Sequence, residues 1–356
     1  MMSTAGRAVL TLIALACAAC QSNSGQSTSG QANSSQGSSG QGSSAPRPDW
    51  RLAQQISPLS NIPANAGYTA QEVNWFDSKR QRLIPAVIYL PKTDQAAPLI
   101  VFSHGLGGTR YGYSGFGKYW ASQGVASIHL QHPGSDRAVW TSQGFSVFST
   151  LKAAANTDNA VARALDVTFA LDTIAADADL AKRINFNKIG VGGHSFGANT
   201  ALLSAGAQFQ IDGKAVEFGD KRIKAALVMS PPALPTSLDP KYVYQPIRIP
   251  TMHLTGTQDN TPIPGAITTA DMRRESYDAI QVGPKYLGIY DGGKHAMFND
   301  RTRDEVNSAI KQSAYELSLK FFQSVFNGEQ QTAVYLKDDS RAKLEKQKLF
   351  SWEASY

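Results

Sequence analysis

The chain has 356 residues, 42% of them hydrophobic and 17% charged, a globular balance that excludes wholesale disorder. Its 34 Lys and Arg against 28 Asp and Glu leave a net charge of +6 with the signs interspersed, as in Lys337-Asp338-Asp339-Ser340-Arg341, so no nucleic-acid footprint stands out. Cys17 and Cys20 are the only cysteines, which excludes a disulfide framework, a Cys-ligated metal site and a cysteine nucleophile from everything after them.

At the N-terminus, Arg7 precedes the apolar run from Ala8 to Ala16. That run is too short to span a bilayer, so it reads as a secretory signal. Small residues and a cysteine follow, Cys17-Ala18-Ala19-Cys20, in a pattern that resembles a bacterial lipoprotein cleavage box. Cys20 is the better lipid acceptor because Gln21 opens a polar segment, with Cys17 the alternative. Residues 21–44 contain only Gln, Ser, Gly, Asn, Thr and Ala, with glutamines every fifth residue from Gln21 to Gln41. Such a segment buries no apolar area and reads as a flexible tether of roughly 25–30 Å r.m.s. span. The expectation is an exported protein, lipid-anchored in a bacterial cell envelope, or otherwise periplasmic or secreted.

From residue 45 onward the chain reads as a single domain. Strand-like runs occur at 83–90, 98–103, 125–130, 188–192, 225–229, 251–254 and 286–290. Helical patterns fall at 111–123, 159–176, 196–205, 268–279 and 303–326. In the second of these, Val161, Ala164, Leu165, Val167, Thr168 and Leu171 keep near 3.6-residue spacing. Short apolar strands alternating with helices predict an α/β fold, a mostly parallel central sheet with helices on both faces and an antiparallel edge formed by the early runs. Residues 330–356 read as a closing helix. Ligands of such sheets gather beyond the carboxyl ends of the strands, so the chemistry should lie in the loops there.

One of those loops, Gly193-His194-Ser195-Phe196-Gly197, joins a strand to a helix in the G-x-S-x-G pattern. The turn exposes the Ser195 hydroxyl at a helix N-terminus, and the glycines let two backbones approach. A serine nucleophile needs a base, and the base needs an orienting acid. Of six histidines, His295 lies in the loop past the last strand run and is the best base by position. The acid should fall between Ser195 and His295 and follow a strand. Asp259 meets that requirement, Asp239 is the rival, and Asp291 sits too close to His295 in sequence. The backbone N–H of Phe196 is one candidate oxyanion donor, and Leu106 in His104-Gly105-Leu106-Gly107-Gly108 is the other. Tyr111, Tyr113 and Phe116 follow that glycine loop, and Trp140, Phe145 and Phe148 lie in the 131–156 connection. Tyr111 and Trp140 are candidates to line a substrate pocket, against the blander reading of core packing. His129, His132 and Asp136 fit no standard metal spacing. The chemistry needs neither metal nor cofactor.

Ser103-His104-Gly105-Leu106-Gly107 with Gly193-His194-Ser195-Phe196-Gly197, and the upstream run from Arg82 to Pro91, resemble the platelet-activating-factor acetylhydrolase and dienelactone-hydrolase-like branch of the α/β-hydrolases. The Asp259-to-His295 arrangement is also similar to bacterial cutinase-like polyester hydrolases. The resemblance covers roughly residues 70–325. It implies ester hydrolysis through an acyl-enzyme, with Ser195 as nucleophile, His295 as general acid and base, Asp259 as orienter, and the Leu106 and Phe196 amides as oxyanion donors. The implied substrates are short- to medium-chain acyl esters. Polyester hydrolysis, acyl transfer, peptide hydrolysis and ligand binding without turnover are the other readings of the scaffold.

Overall fold

Each predicted strand forms in the computed structural model of the chain, which describes residues 59, 62–63, 65–140, 147–211, 214–262 and 268–356. The strands are β1 (Tyr68–Asp77), β2 (Arg82–Pro91), β3 (Ala97–Ser103), β4 (Ala126–Leu130), β5 (Ile184–His194), β6 (Gln208–Ile211), β7 (Lys214–Glu217), β8 (Ile223–Met229), β9 (Thr251–Gln258), β10 (Lys285–Lys294) and β11 (Leu349–Ser355). Nine of them make one sheet in the order β1-β2-β4-β3-β5-β8-β9-β10-β11, and β6 and β7 form a separate hairpin. The six strands from β4 to β10 are parallel to their neighbours. Both edges are antiparallel, β1 and β2 on one side and β11 on the other. This is the expected α/β architecture, except that of the early runs only β2 lies at the antiparallel edge, while β3 is inside the parallel region.

The helices are α1 (Ser114–Ser122), α2 (Val147–Ala154), α3 (Thr157–Ala176), α4 (Ala178–Arg183), α5 (Phe196–Ser204), α6 (Pro240–Tyr244), α7 (Glu275–Ala279), α8 (Glu305–Asn327), α9 (Gln330–Lys337) and α10 (Arg341–Lys346). Successive side chains of a strand point to opposite faces, and the central strands show the consequence. Leu99 and Val101 of β3 join a core with α3 and α5, while Ile100 and Phe102 join a second core with α1 and α8. Strands buried on both faces must be apolar throughout, which is why β2 to β4 read as unbroken hydrophobic runs. The long helices start where capping side chains dictate. Asn156 accepts the Asn159 N–H at the head of α3, and Asp304 accepts the Asn307 N–H at the head of α8. Gly328, in the left-handed region at φ 64°, ends α8.

Three expectations need correction. Residues 330–356 are not one closing helix. They form α9 and α10, and Lys348 at φ 57° turns the chain into β11 against β10. Leu349 and Trp352 are buried there, and the Trp352 indole N–H donates to the Leu336 carbonyl at 2.7 Å. The 268–279 pattern is a 3-10 turn, Asp271–Arg274, followed by the short α7. Leu165, counted on the apolar stripe of α3, is 40% exposed, and Arg163 and Asp166 are buried instead. The signal, lipid-acceptor and tether readings fall on residues 1–44, outside the described residues, as do Phe145 and the side chain of Phe148.

Candidate active site

Sheet register brings the candidate residues together. Ser103, the last residue of β3, pairs with Gly193 of β5, and His194 pairs with Met229 of β8. Farther along, Gln258 of β9 pairs with Lys294 of β10. The residues that follow these last two strands are Asp259 and His295, so the candidate acid and base leave the sheet side by side. The glycine-rich loop after β3, the serine after β5, the acid after β9 and the base after β10 thus line one end of the sheet.

Ser195 sits at φ 56°, ψ −121°, a conformation that L side chains adopt at a cost of about 1–3 kcal/mol. The turn is held by the Ser195 N–H donating to the Met229 carbonyl at 2.8 Å. It is also possible only with glycine on either side. A Cβ on Gly193 would collide with the backbone of Gly197, and one on Gly197 would collide with the carbonyl of Ser103. Strand, turn and helix therefore pack backbone to backbone, and α5 begins directly after the serine with its first N–H groups free of intrahelical acceptors.

His295 Nε2 lies 3.0 Å from Ser195 Oγ, and His295 Nδ1 lies 2.7 Å from Asp259 Oδ1. The carboxylate places the proton on Nδ1, so Nε2 is the acceptor of the serine proton. Asp259 is fully buried and accepts a further bond from Thr255 Oγ1 at 2.9 Å. Burial pushes its carboxyl up. The hydrogen bond and charge of His295 and the Arg273 guanidinium outweigh that, and Asp259 stays below the ordinary aspartate value. The rival Asp239 is exposed and accepts the Lys241 N–H as the cap of α6, and Asp291 is exposed as well.

Among the described residues neither the Leu106 nor the Phe196 N–H has a protein acceptor. Gly107 at φ 69° turns the loop, its N–H donates to the Ser135 carbonyl, and the Leu106 side chain packs into the core. Gly105 approaches Ser195 so closely that an added Cβ would lie 3.3 Å from the serine Cβ. The β3 loop therefore lies directly against the serine turn.

The aromatic candidates separate. Trp140 is 47% exposed, its indole N–H donates to the Gly107 carbonyl at 2.8 Å, and its ring covers Gly107. It stands over the glycine loop after β3 as an exposed aromatic surface. Tyr111 packs under the Arg110 guanidinium at 5.1 Å, and Phe116 is wholly buried in the core. His129 lies in the core against Phe102 and Tyr89, while His132 pairs with Asp166. They do not share a site.

Two contributors escaped the sequence reading. Arg273 is 1% exposed, its Nε lies 3.2 Å from Asp259 Oδ1, and it donates to the carbonyls of Asp259, Ser230 and Pro231. It anchors the acid. His194 accepts from the Tyr113 hydroxyl at Nδ1, 2.7 Å, and donates from Nε2 to the His295 carbonyl, 2.9 Å. It clasps the base loop to the serine turn. Only the G-H-S-F-G motif pointed near His194, and nothing local marked Arg273.

The family described as platelet-activating factor acetylhydrolase, isoform II, matches residues 86–145. That segment runs from β2 through the glycine loop and β4 to beyond Trp140. The chain has the α/β-hydrolase fold and resembles its platelet-activating-factor acetylhydrolase branch. The family is one of ester hydrolases. The chain matches no curated protein. In this hydrolase the matched segment holds the β3 side of the site, whereas Ser195, Asp259 and His295 lie downstream of it.

Proposed function

We propose that the chain is a serine carboxylesterase that hydrolyses short- to medium-chain acyl esters through an acyl-enzyme. The observation that carries the reading is the continuous hydrogen-bonded line from Asp259 through His295 to a serine on a left-handed turn at a helix N-terminus. His295 Nε2 takes the Ser195 proton as Oγ attacks the ester carbonyl. The new oxyanion faces the Leu106 and Phe196 N–H groups. Collapse transfers the proton from His295 to the departing alcohol and leaves Ser195 acylated. Water activated by His295 then attacks the acyl group, and the proton returns to Ser195. Asp259 stays ionised, holds the Nδ1–H tautomer and stabilises the imidazolium. Each oxyanion donor is worth about 3–4 kcal/mol in the transition state.

The exposed Trp140 ring beside the oxyanion loop favours a second substrate form, an ester within a polymer surface. An aromatic face half open to solvent can lie flat on such a chain. The N-terminal pattern supports export and anchoring through a lipid on Cys20, with the 21–44 segment as tether. Cys20→Ala should release the protein from the membrane fraction; unchanged fractionation would remove the anchor.

The test of the activity is kcat/KM on p-nitrophenyl esters from acetyl to palmitoyl, with Ser195→Ala as control. Serine-dependent turnover that peaks at short or medium chains supports the reading. No serine-dependent turnover at any length overturns it.

A further inference from the structure

Arg163 of α3 is completely buried, and its position is unusual. Among the described residues no carboxylate lies within ion-pair distance of it, unlike Arg80, Arg82 and Arg273, each of which faces an aspartate. Its contacts run to the two segments that carry the oxyanion donors and to Ser135, which is itself bonded to one of them.

On the β3 side, Arg163 Nη2 donates to the His104 carbonyl, two residues before Leu106. Its Nη1 donates to Ser135 Oγ at 3.0 Å, and the carbonyl of the same serine accepts the Gly107 N–H at 2.9 Å. Leu106 is thus fixed from both sides through one guanidinium. On the β5 side, Nε donates to Thr200 Oγ1 at 2.9 Å, and that hydroxyl donates to the Phe196 carbonyl at 3.1 Å. The guanidinium also lies 4.8 Å from the Phe196 ring centroid. The rigid fork of Arg suits three fixed acceptors in a way that the single ammonium of Lys cannot.

A buried cation with no carboxylate in contact is costly, even with Asp166 and Asp136 acting on it from farther off, and a neutral brace would hold these loops with less penalty. Burial draws Arg163 down to about 9, which still leaves it charged at neutral pH. Its positive field therefore lies beneath the place where negative charge develops in the reaction, in an interior that screens it little.

We propose that Arg163 is a positioning residue that sets the Leu106 and Phe196 N–H groups against each other and adds positive potential under the oxyanion. The proposal rests on the serine-esterase reading above. It implies that removing Arg163 weakens transition-state stabilisation and leaves ground-state binding nearly unchanged.

The experiment compares wild type, Arg163→Met, Arg163→Lys and Thr200→Val on p-nitrophenyl acetate, with rates normalised to sites titrated by a fluorophosphonate. The same proteins are titrated with an alkylboronic acid, which forms a tetrahedral adduct on the serine. For Arg163→Met, kcat should fall about 10- to 100-fold, KM should stay within about threefold, and the boronic acid Ki should rise by the factor lost in kcat. Arg163→Lys should lose rate as well, because it keeps the charge but not the fork. Thr200→Val keeps the cation and serves if the Arg163 variants do not fold, with kcat and boronic acid affinity falling together by about three- to tenfold. A kcat within about threefold of wild type in every folded variant would overturn the proposal. So would a fall in kcat with the boronic acid Ki unmoved, or a change confined to KM. A wild type without Ser195-dependent turnover removes the esterase reading itself, a result distinguishable from an active wild type with indifferent variants.

Discussion

Among the described residues two Asp–His–Ser arrays occur, and their hydrogen bonds are nearly the same. In the first, Asp259, His295 and Ser195 are linked at 2.7 and 3.0 Å. In the second, Asp166 meets His132 Nδ1 at 2.9 Å, and His132 Nε2 meets Ser103 Oγ at 3.0 Å. Their surroundings differ. Ser103 ends a regular strand between Leu130 and Gly193, and it, His132 and Asp166 are all fully buried. Asp166 is held by Arg80 and Arg82, so that array is an internal polar strut beneath the glycine loop after β3. Ser195 instead sits on a strained turn at a helix N-terminus, and the His295 side chain keeps 15% of its surface exposed. The lesson is that the hydrogen-bonded line alone does not mark a reactive serine. Access, the left-handed turn and unpaired N–H donors do.

The comparison breaks most sharply at the serines. Ser195→Ala should cost about 10⁵- to 10⁶-fold in kcat, the scale of triad serine removals, and leave the unfolding midpoint almost unchanged. Ser103→Ala should keep kcat within about threefold and lose about 1–3 kcal/mol of stability, because it strips a buried histidine of its partner. Ester kinetics and urea unfolding on the two variants measure both, and equal losses of rate would erase the distinction.

The aspartates should divide the same way with smaller effects. Asp259→Asn is expected to lower kcat about 10⁴-fold with the fold intact. Asp166→Asn should lower stability by about 3–5 kcal/mol, since it leaves Arg82 without a carboxylate and Arg80 with Asp77 alone, with a modest change in kcat among the molecules that remain folded. A near-normal rate for Asp259→Asn would detach the acid from the site.

Acid should reveal the struts before it reveals anything else. Burial holds His104, His129, His132, His194 and His253 below the ordinary histidine value, with His129, His132 and His253 near 3. Below about pH 6.5 the unfolded chain binds protons at these residues and the folded chain does not, so stability rises with pH and falls as pH drops from about 6.5 towards 3. Each such histidine withdraws up to about 1.4 kcal/mol per pH unit in that window. Asp166, despite burial, is drawn down to about 2 by His132 and Arg82, and it removes further stability below about pH 4. Urea unfolding midpoints at pH 7 and pH 5 check the sign; equal midpoints would contradict neutral buried imidazoles.

The smallest effect belongs to the clasp. His194→Phe breaks the bond to the His295 carbonyl and should cost about tenfold in kcat with little change in KM, measured on the same ester. An unchanged kcat would mean that the base loop holds itself.

The sequence made legible what is encoded locally. The serine turn is a five-residue motif, the glycine loop directly follows an apolar run, and Asp259 and His295 each stand one residue past a strand. The sheet and most of its helices follow from hydrophobic periodicity, because fully buried strands must be apolar. The edges were harder to read. β1 alternates exposed and half-buried residues, and β11 is short and follows two helices. The polar support was not legible for a different reason. Arg163 finds acceptors 59 and 28 residues before it and 37 after, and Asp166 is paired with residues more than 80 positions upstream. One signal was present: Arg163 and Asp166 fall in phase with Ala160, Val167 and Ala170 on the buried face of α3. A charge on the apolar stripe of a helix announces a buried partner, though not which one.

The most direct measurement is to quench the protein with acid during turnover of p-nitrophenyl acetate and map the acyl group by peptide mass spectrometry. One acetyl group on the peptide that carries Ser195, absent in Ser195→Ala and absent from the Ser103 peptide, is the expected result. Turnover with no acetyl on Ser195, or acetylation of another residue that survives Ser195→Ala, would contradict the account.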